Sequence, residues 1–394
     1  MHPTLSTAQP LPAMQPLPRR CSHRAHRRAA LGAAVASVLS MAAVGLAHAD
    51  GTPGVTVGAG IQAGFYSCST ACIYSPGTVG TNDSSVNGFA LDSIRLYVNG
   101  NITDQIKMTF NTEYTGSGSG PGDNKVGVLD AIARFEFSNQ ANIWVGRFLP
   151  PSDRANLYGP YFANDWAPFA DGVADYYPDV FGGRDNGAAY WGQFGILKVQ
   201  VGAFDGESLN SAVPNKNQLL GAARLMVDFW DPEPGYYLNG TYYGEKNILS
   251  LGVAGQTQNG YTDGDLDGLF EKRLGDAGTV TVEAEYDRDN RLTAFYPSDG
   301  WYLLASYLLP QRVGIGRIQP LVKYSDKTLD DYYGSTDGLK TTEFDLNYVI
   351  KDFSARVGLY YLHQSGVLAE PFGSPTPAPT ISPNEWGLKV QLQM

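Results

Sequence analysis

"IKMTFNTEY", Ile106 to Tyr114, alternates residue by residue. Ile106, Met108, Phe110, Thr112 and Tyr114 form one mostly apolar face, and Lys107, Thr109, Asn111 and Glu113 form one polar face. A period of two is the signature of a strand that meets two different surroundings. The final stretch repeats it, with Trp386, Leu388, Val390, Leu392 and Met394 set against Gly387, Lys389, Gln391 and Gln393. Two closed architectures produce this pattern: a soluble sandwich with apolar side chains inside, and a membrane barrel with apolar side chains toward lipid and polar ones toward a wet lumen. A barrel needs segments of ~10 residues, turns that alternate short and long, and aromatics near both interfaces. The 24 Tyr, 17 Phe and 6 Trp suit such girdles, and a mean hydropathy of −0.21 is low for stacked buried sheets. Beyond the N-terminal region no stretch has the ~20 apolar residues of a membrane helix.

The N-terminal region reads as a secretory signal peptide: a basic segment from Arg19 to Arg28, an apolar run from Ala29 to Leu46, and Ala47-His48-Ala49 as a cleavage site. Cleavage after Ala49 leaves residues 50–394 as the mature chain, and residues 1–18 read as an over-long start. Five arginines and no acids leave with the signal, so the net charge falls from −11 to −16. So acidic a chain lacks the basic face that nucleic acid requires. Of the histidines only His363 remains, which removes histidine metal clusters and leaves any His-based triad one residue to use. Cys68 and Cys72, in CSTAC, read as a local disulfide in an exported protein, with free thiols as the other possibility. No cofactor is expected.

Parity orders the strands. Sixteen strands give short connections at 101–103, 138–140, 194–195, 275–278, 310–314 and 351–352 on one side. Long ones fall at 66–89, 116–125, 148–184, 205–216, 258–265, 289–298, 326–338 and 365–383 on the other. One longer inner turn, 230–246, contains YYLNGTYY (Tyr236 to Tyr243), which has strand-like composition. Counted as a full crossing it would invert every later loop, so it is not one. The fold expected is an all-β, sixteen-stranded antiparallel transmembrane barrel with both termini periplasmic, and eighteen strands is the alternative count. The third outer loop, 148–184, is free of lysine, and its length and aromatics suit folding back into the lumen.

Three stretches, RLYVNGNITDQIKMTFNTEY (Arg95 to Tyr114), IWVGRFLPPSDRANLYGPYFANDW (Ile143 to Trp166) and ARLMVDFWDPEPGYY (Ala223 to Tyr237), resemble the phosphate-selective porin O/P family of Gram-negative outer membranes. The resemblance implies a homotrimeric, sixteen-stranded porin whose third loop narrows the pore, and a phosphate specificity resting on clustered lysines and arginines there. This chain departs from that pattern. Between Phe148 and Arg184 the cations are Arg154 and Arg184, against Asp153, Asp165, Asp171, Asp175 and Asp179.

Two accounts of the lumen cations stand side by side. In one, Arg95, Arg134 and Arg154, with Arg184, form a track that steers anions past the loop; in the other, lumen charges pair across strands. The loop aromatics Tyr158, Tyr161 and Trp166 either stack on sugar rings, as in a carbohydrate porin, or pack the loop against the wall. Asp263, Asp265, Asp267 and Gly268 match the first half of an EF-hand loop, but the twelfth position is Leu274. That stretch reads as an acidic outer loop, with a Ca²⁺ or Mg²⁺ bridge to lipopolysaccharide as the lesser alternative. The last residue, Met394, stands where barrels of this kind commonly end in an aromatic read by the barrel assembly machinery. The resulting expectation is a passive outer-membrane channel for small hydrophilic solutes and ions, with anion or phosphate preference as its specific form. A barrel enzyme is the rival of another class.

Overall fold

A bilayer leaves no water to satisfy backbone groups, so alternating segments must close a ring of strand-to-strand hydrogen bonds. The computed structural model describes residues 54–69, 86–115, 125–170, 173, 183–206, 219–290, 297–330, 336–367, 380–381 and 383–394. In chain order the first half is β1 (Gly54–Cys68), β2 (Val86–Asn101), β3 (Ile106–Thr115), β4 (Lys125–Glu136), β5 (Asn142–Phe148), α1 (Arg154–Phe162), β6 (Asp185–Phe194), β7 (Leu197–Phe204), β8 (Leu220–Asp228) and β9 (Ile248–Gln258). The second half is β10 (Tyr261–Arg273), β11 (Thr279–Asn290), β12 (Ser298–Leu308), β13 (Arg312–Val313), β14 (Gly316–Asp330), β15 (Thr336–Lys351), β16 (Ala355–Val367), β17 (Thr380–Ile381) and β18 (Asn384–Gln393). Each strand pairs antiparallel with its neighbours in one closed sheet. The two-residue β13 and β17 are hairpin extensions. β12 pairs directly with β14 and β16 with β18, which leaves the sixteen long staves that parity requires.

The seam joins β1 to β18. β1 pairs with β2 along its full length and with β18 from Gly60 opposite Gln393 to Cys68 opposite Glu385. Ala59 and Met394 close the ring by exchanging both backbone bonds, N to O at 3.0 and 2.9 Å.

The side chains sort in the membrane sense. Leu225, Leu251, Leu303, Leu346 and Leu359 are exposed on the outer face, whereas Gln200, Arg224, Lys323, Asn347 and Arg356 are at most 3% exposed inside. A soluble sandwich would show the reverse. Ring pairs mark both rims, with Trp301 against Tyr324 at one and Trp230 against Phe270 at the other, their centroids 5.6 Å apart in each case.

Two connections depart from the parity reading in instructive ways. Residues 258–265, expected as a long outer loop, are a two-residue hairpin: Asn259 and Gly260 have φ of 56° and 84°, and β10 begins at Tyr261. Positive φ at both central residues is what Asn-Gly favours in a tight hairpin. Asp263, Asp265 and Asp267 are therefore strand residues facing the lumen and do not form a loop. Tyr236–Tyr243 is not a strand, but neither does it lie idle at the inner rim. Residues 229–247 rise into the barrel, with Glu233, Tyr236, Leu238, Thr241 and Tyr243 buried.

Candidate constriction

The third outer loop enters the lumen after β5 through Pro150 and Pro151. Asp153 then starts α1, its Oδ1 accepting from the Asn156 amide at 2.6 Å. The helix kinks at Gly159, where φ is 62°, because Pro160 follows and has no amide to continue the ladder. From there residues 163–170 run on in extended and turn conformation across the barrel.

Wall side chains stitch this segment in place from many sides. Gln62 of β1 donates to the Pro160 carbonyl at 3.2 Å and Gln391 of β18 to the Tyr161 carbonyl at 2.9 Å. Arg356 of β16 donates to the Ala163 and Asn164 carbonyls at 2.8 and 3.2 Å, and Gln256 of β9 donates to the Pro151 carbonyl at 3.2 Å. A loop without regular partners leaves its carbonyls bare, and these inward amides and guanidiniums satisfy them.

The segment 229–247 meets the loop from the opposite end. Leu238 N donates to Leu157 O at 3.4 Å, and Gly240 N to Phe162 O at 2.9 Å. Tyr236 stacks on Trp144 with centroids 4.7 Å apart, packs edge-on against Phe148, and donates its hydroxyl to Leu149 O at 2.8 Å. Glu271 anchors the far end of the segment by accepting from Thr241 Oγ1 and the amides of Tyr242 and Gly244 at 2.7 to 2.9 Å.

Arg154 sits where the two segments join. Its Nη1 and Nη2 donate to the two oxygens of Glu233 at 2.9 and 2.6 Å, with further bonds to Asn239 O at 3.0 Å and Ser250 Oγ at 2.7 Å. Asp267 Oδ1 lies 3.6 Å from its Nε. Burial opposes charge on both partners, yet each holds the other ionised: Arg154 lies well above its ordinary value, and Glu233 is lowered to about 2.

The other candidate cations also have acids beside them. Arg95 is hydrogen-bonded to Glu113, with its guanidinium 4.7 Å from the Tyr161 ring centre. Arg134 lies 3.7 Å from Glu136, and Arg184 lies 3.3 Å from Asp130. Of the loop acids, Asp153 caps α1 and Asp165 pairs with Lys323 at 3.3 Å, while Asp171 lies outside the described residues.

The loop aromatics face protein. Tyr158 packs against Ala155 and Ala163 and donates to Glu283 at 2.9 Å; burial raises its hydroxyl well above the ordinary value, so it stays a donor. Trp166 donates to Asn347 at 2.6 Å, with the Arg356 guanidinium 4.2 Å over its ring, and Tyr161 is fully buried. Cys68 is disulfide-bonded at the outer end of β1, and Cys72 lies outside the described residues.

One wall is acidic over three successive levels. β10 and β11 face the lumen with Asp263 opposite Asp289, Asp265 opposite Asp287, and Asp267 opposite Glu285. Asp267 is taken by Arg224, whose guanidinium grips both carboxylate oxygens, Nη2 to Oδ1 at 2.8 Å. Alternation places Arg224 and Arg356 in the lumen, as the structure has them, but their contacts with the loop were missed from sequence, as were Glu233 and Glu271. Nothing in a single sequence marks which lumen residues an inserted loop will touch, although a connection as long as 229–247 on the short-turn side was itself a signal.

No family profile and no curated protein matches the chain. Its structure is similar to several outer-membrane proteins. OmpT of Vibrio cholerae, folded in vitro, aligns at a TM-score of 0.54 and 12% identity over 89% of this chain and 100% of its own. The outer membrane channel DcaP of Acinetobacter baumannii aligns at 0.54 and 12%, over 88% and 99%. OprB of Pseudomonas putida aligns at 0.55 and 9%, over 92% and 97%. At these identities the likeness carries the fold alone: the chain is a closed, sixteen-stranded antiparallel β-barrel with a third loop drawn into its lumen.

Proposed function

We infer that the chain is a passive channel of the Gram-negative outer membrane that admits small hydrophilic solutes and ions, exported by a leader spanning residues 1–49. The observation that carries this reading is the inversion of polarity, with apolar side chains outside a closed barrel and polar, charged ones inside. Residues 149–170 set the constriction, joined by residues 229–247 from the inner end.

The finer phosphate or anion preference draws support from the family resemblance alone. Arg95, Arg134, Arg154 and Arg184 each lie within 4 Å of a carboxylate, which offsets the field an anion filter needs. A general pore is therefore favoured over a phosphate-selective one. A sugar-stacking role finds no open ring face on Tyr158, Tyr161 or Trp166, whose burial supports packing. His363, the histidine an enzyme would use, faces the Asn384 amide oxygen at 2.8 Å. Homotrimer formation, contact with lipopolysaccharide and recognition by the assembly machinery belong to this same reading.

Planar-bilayer recording tests it. Purified protein is expected to insert in discrete conductance steps in KCl, with no block by added phosphate. Absence of any step would remove the channel reading, and phosphate block would restore the narrower family specialty.

A further inference from the structure

We propose that the outer half of the acidic wall, centred on Asp265, is a binding site for an organic cation, a guanidinium or primary ammonium group, as it passes through the lumen. This names the solute class for the channel proposed above and rests on that reading.

Like charges directly opposite across a strand pair repel each other, yet β10 and β11 place carboxylates face to face at three successive inward levels. Burying a carboxylate with nothing to bond is costly unless a cation accompanies it. At the innermost of the three levels the protein supplies that cation itself: Arg224 takes Asp267 in a two-point grip and Arg154 approaches from the loop. At the next level outward the cations are held less closely: Arg224 reaches Asp265 at ion-pair distance with no hydrogen bond, and Lys327 of β14 acts on Asp287. Asp265 is 4% exposed, and neither of its carboxylate oxygens has a hydrogen-bond partner; the nearest cation, Arg224 Nη1, stands off at 3.6 Å. One oxygen each of Asp263 and Glu285 is buried and unpartnered in the same way. Asp153 of the constriction loop adds its charge to Asp265 and Glu285.

The geometry selects the ligand class. Among the described residues no three acids converge closely enough to hold a metal ion. The carboxylates are instead spread along two strands, where inward residues recur about every 6.7 Å. That suits a solute whose charge is an N–H donor group, the chemistry Arg224 already displays one level below, and it suits a diammonium that spans two levels.

The test uses the full mature protein in planar bilayers, with 1,4-diaminobutane as the probe. The diamine is expected to interrupt the K⁺ current, and Asp265→Asn to weaken that block about tenfold, the change one charge-assisted contact makes. Glu285→Gln should act in the same direction and serves if the first variant does not fold. Equal block in the wild type and both variants, or a conducting channel that the diamine never interrupts, overturns the site and leaves the channel standing. If no conductance appears, the channel reading fails and calorimetry with the same diamine on detergent-solubilised protein decides the site. Binding that Asp265→Asn weakens supports it, and no binding overturns it.

Discussion

Replacing Arg154 with Met removes one half of a fully buried ion pair while roughly keeping its volume. Both side chains are essentially inaccessible, at 0% and 1% exposure, so solvent screening does not soften the loss. Five hydrogen bonds go with the guanidinium, two to Glu233 and one each to Asn239 O, Ser250 Oγ and Met226 Sδ. Leaving a buried carboxylate without its partner costs about 3–5 kcal/mol. The barrel wall does not depend on this pair, so the cost should fall on the joint between residues 149–163 and 229–247 rather than on global unfolding. Amide hydrogen exchange at Leu238 and Gly240, which donate across that joint, reads the opening free energy directly. Exchange there should accelerate by roughly two to three and a half orders of magnitude. Adding Glu233→Leu should recover most of the protection, because an apolar pair in place of a buried ion pair is close to neutral. Unchanged exchange in Arg154→Met, or a double variant that opens as readily as the single, would refute the claim that this pair fastens the two segments.

Acidity should act on the same joint with a fixed sign. The Glu233 carboxyl is lowered from 4.5 to about 2, so its contribution is full above pH 4.5 and is lost as pH falls through 2. Exchange at Leu238 attributable to this pair should therefore be flat from pH 8 to 5, after correction for intrinsic rates, and rise only in stronger acid. Leu225→Arg places a charge on the exposed outer face of β8 and should cost about 2–4 kcal/mol of membrane stability if it lies near the midplane, measured by reversible folding into vesicles. Insertion as stable as the wild type would mean that this face does not meet lipid.

The barrel was legible because its rule is local. The alternation in Ile106 to Tyr114 and in Trp386 to Met394 needs no knowledge of distant partners, and parity then carries the count around the ring. The 258–265 connection was misplaced for a related reason: acids are depleted from ordinary strands, so three aspartates in a row of alternate positions looked like loop. The Asn259-Gly260 dipeptide, the strongest short-range hairpin signal, was the cue that outweighed them in the fold. The constriction was half legible. Proline, aromatic and acidic content pointed to an inserted loop, whereas its fastening by Glu233, Arg356 and Gln391 depends on contacts between residues up to 230 positions apart. Such pairs leave no trace in spacing.

The bond exchange between Ala59 and Met394 ties the end of β18 to β1. During synthesis β1 exists long before β18, and for that whole interval its edge offers unpaired donors and acceptors to any other strand. Without β18 the barrel has no segment of the right register to meet β1, and presents two open edges instead of none. The ring that excludes lipid from the lumen therefore hangs on this single seam.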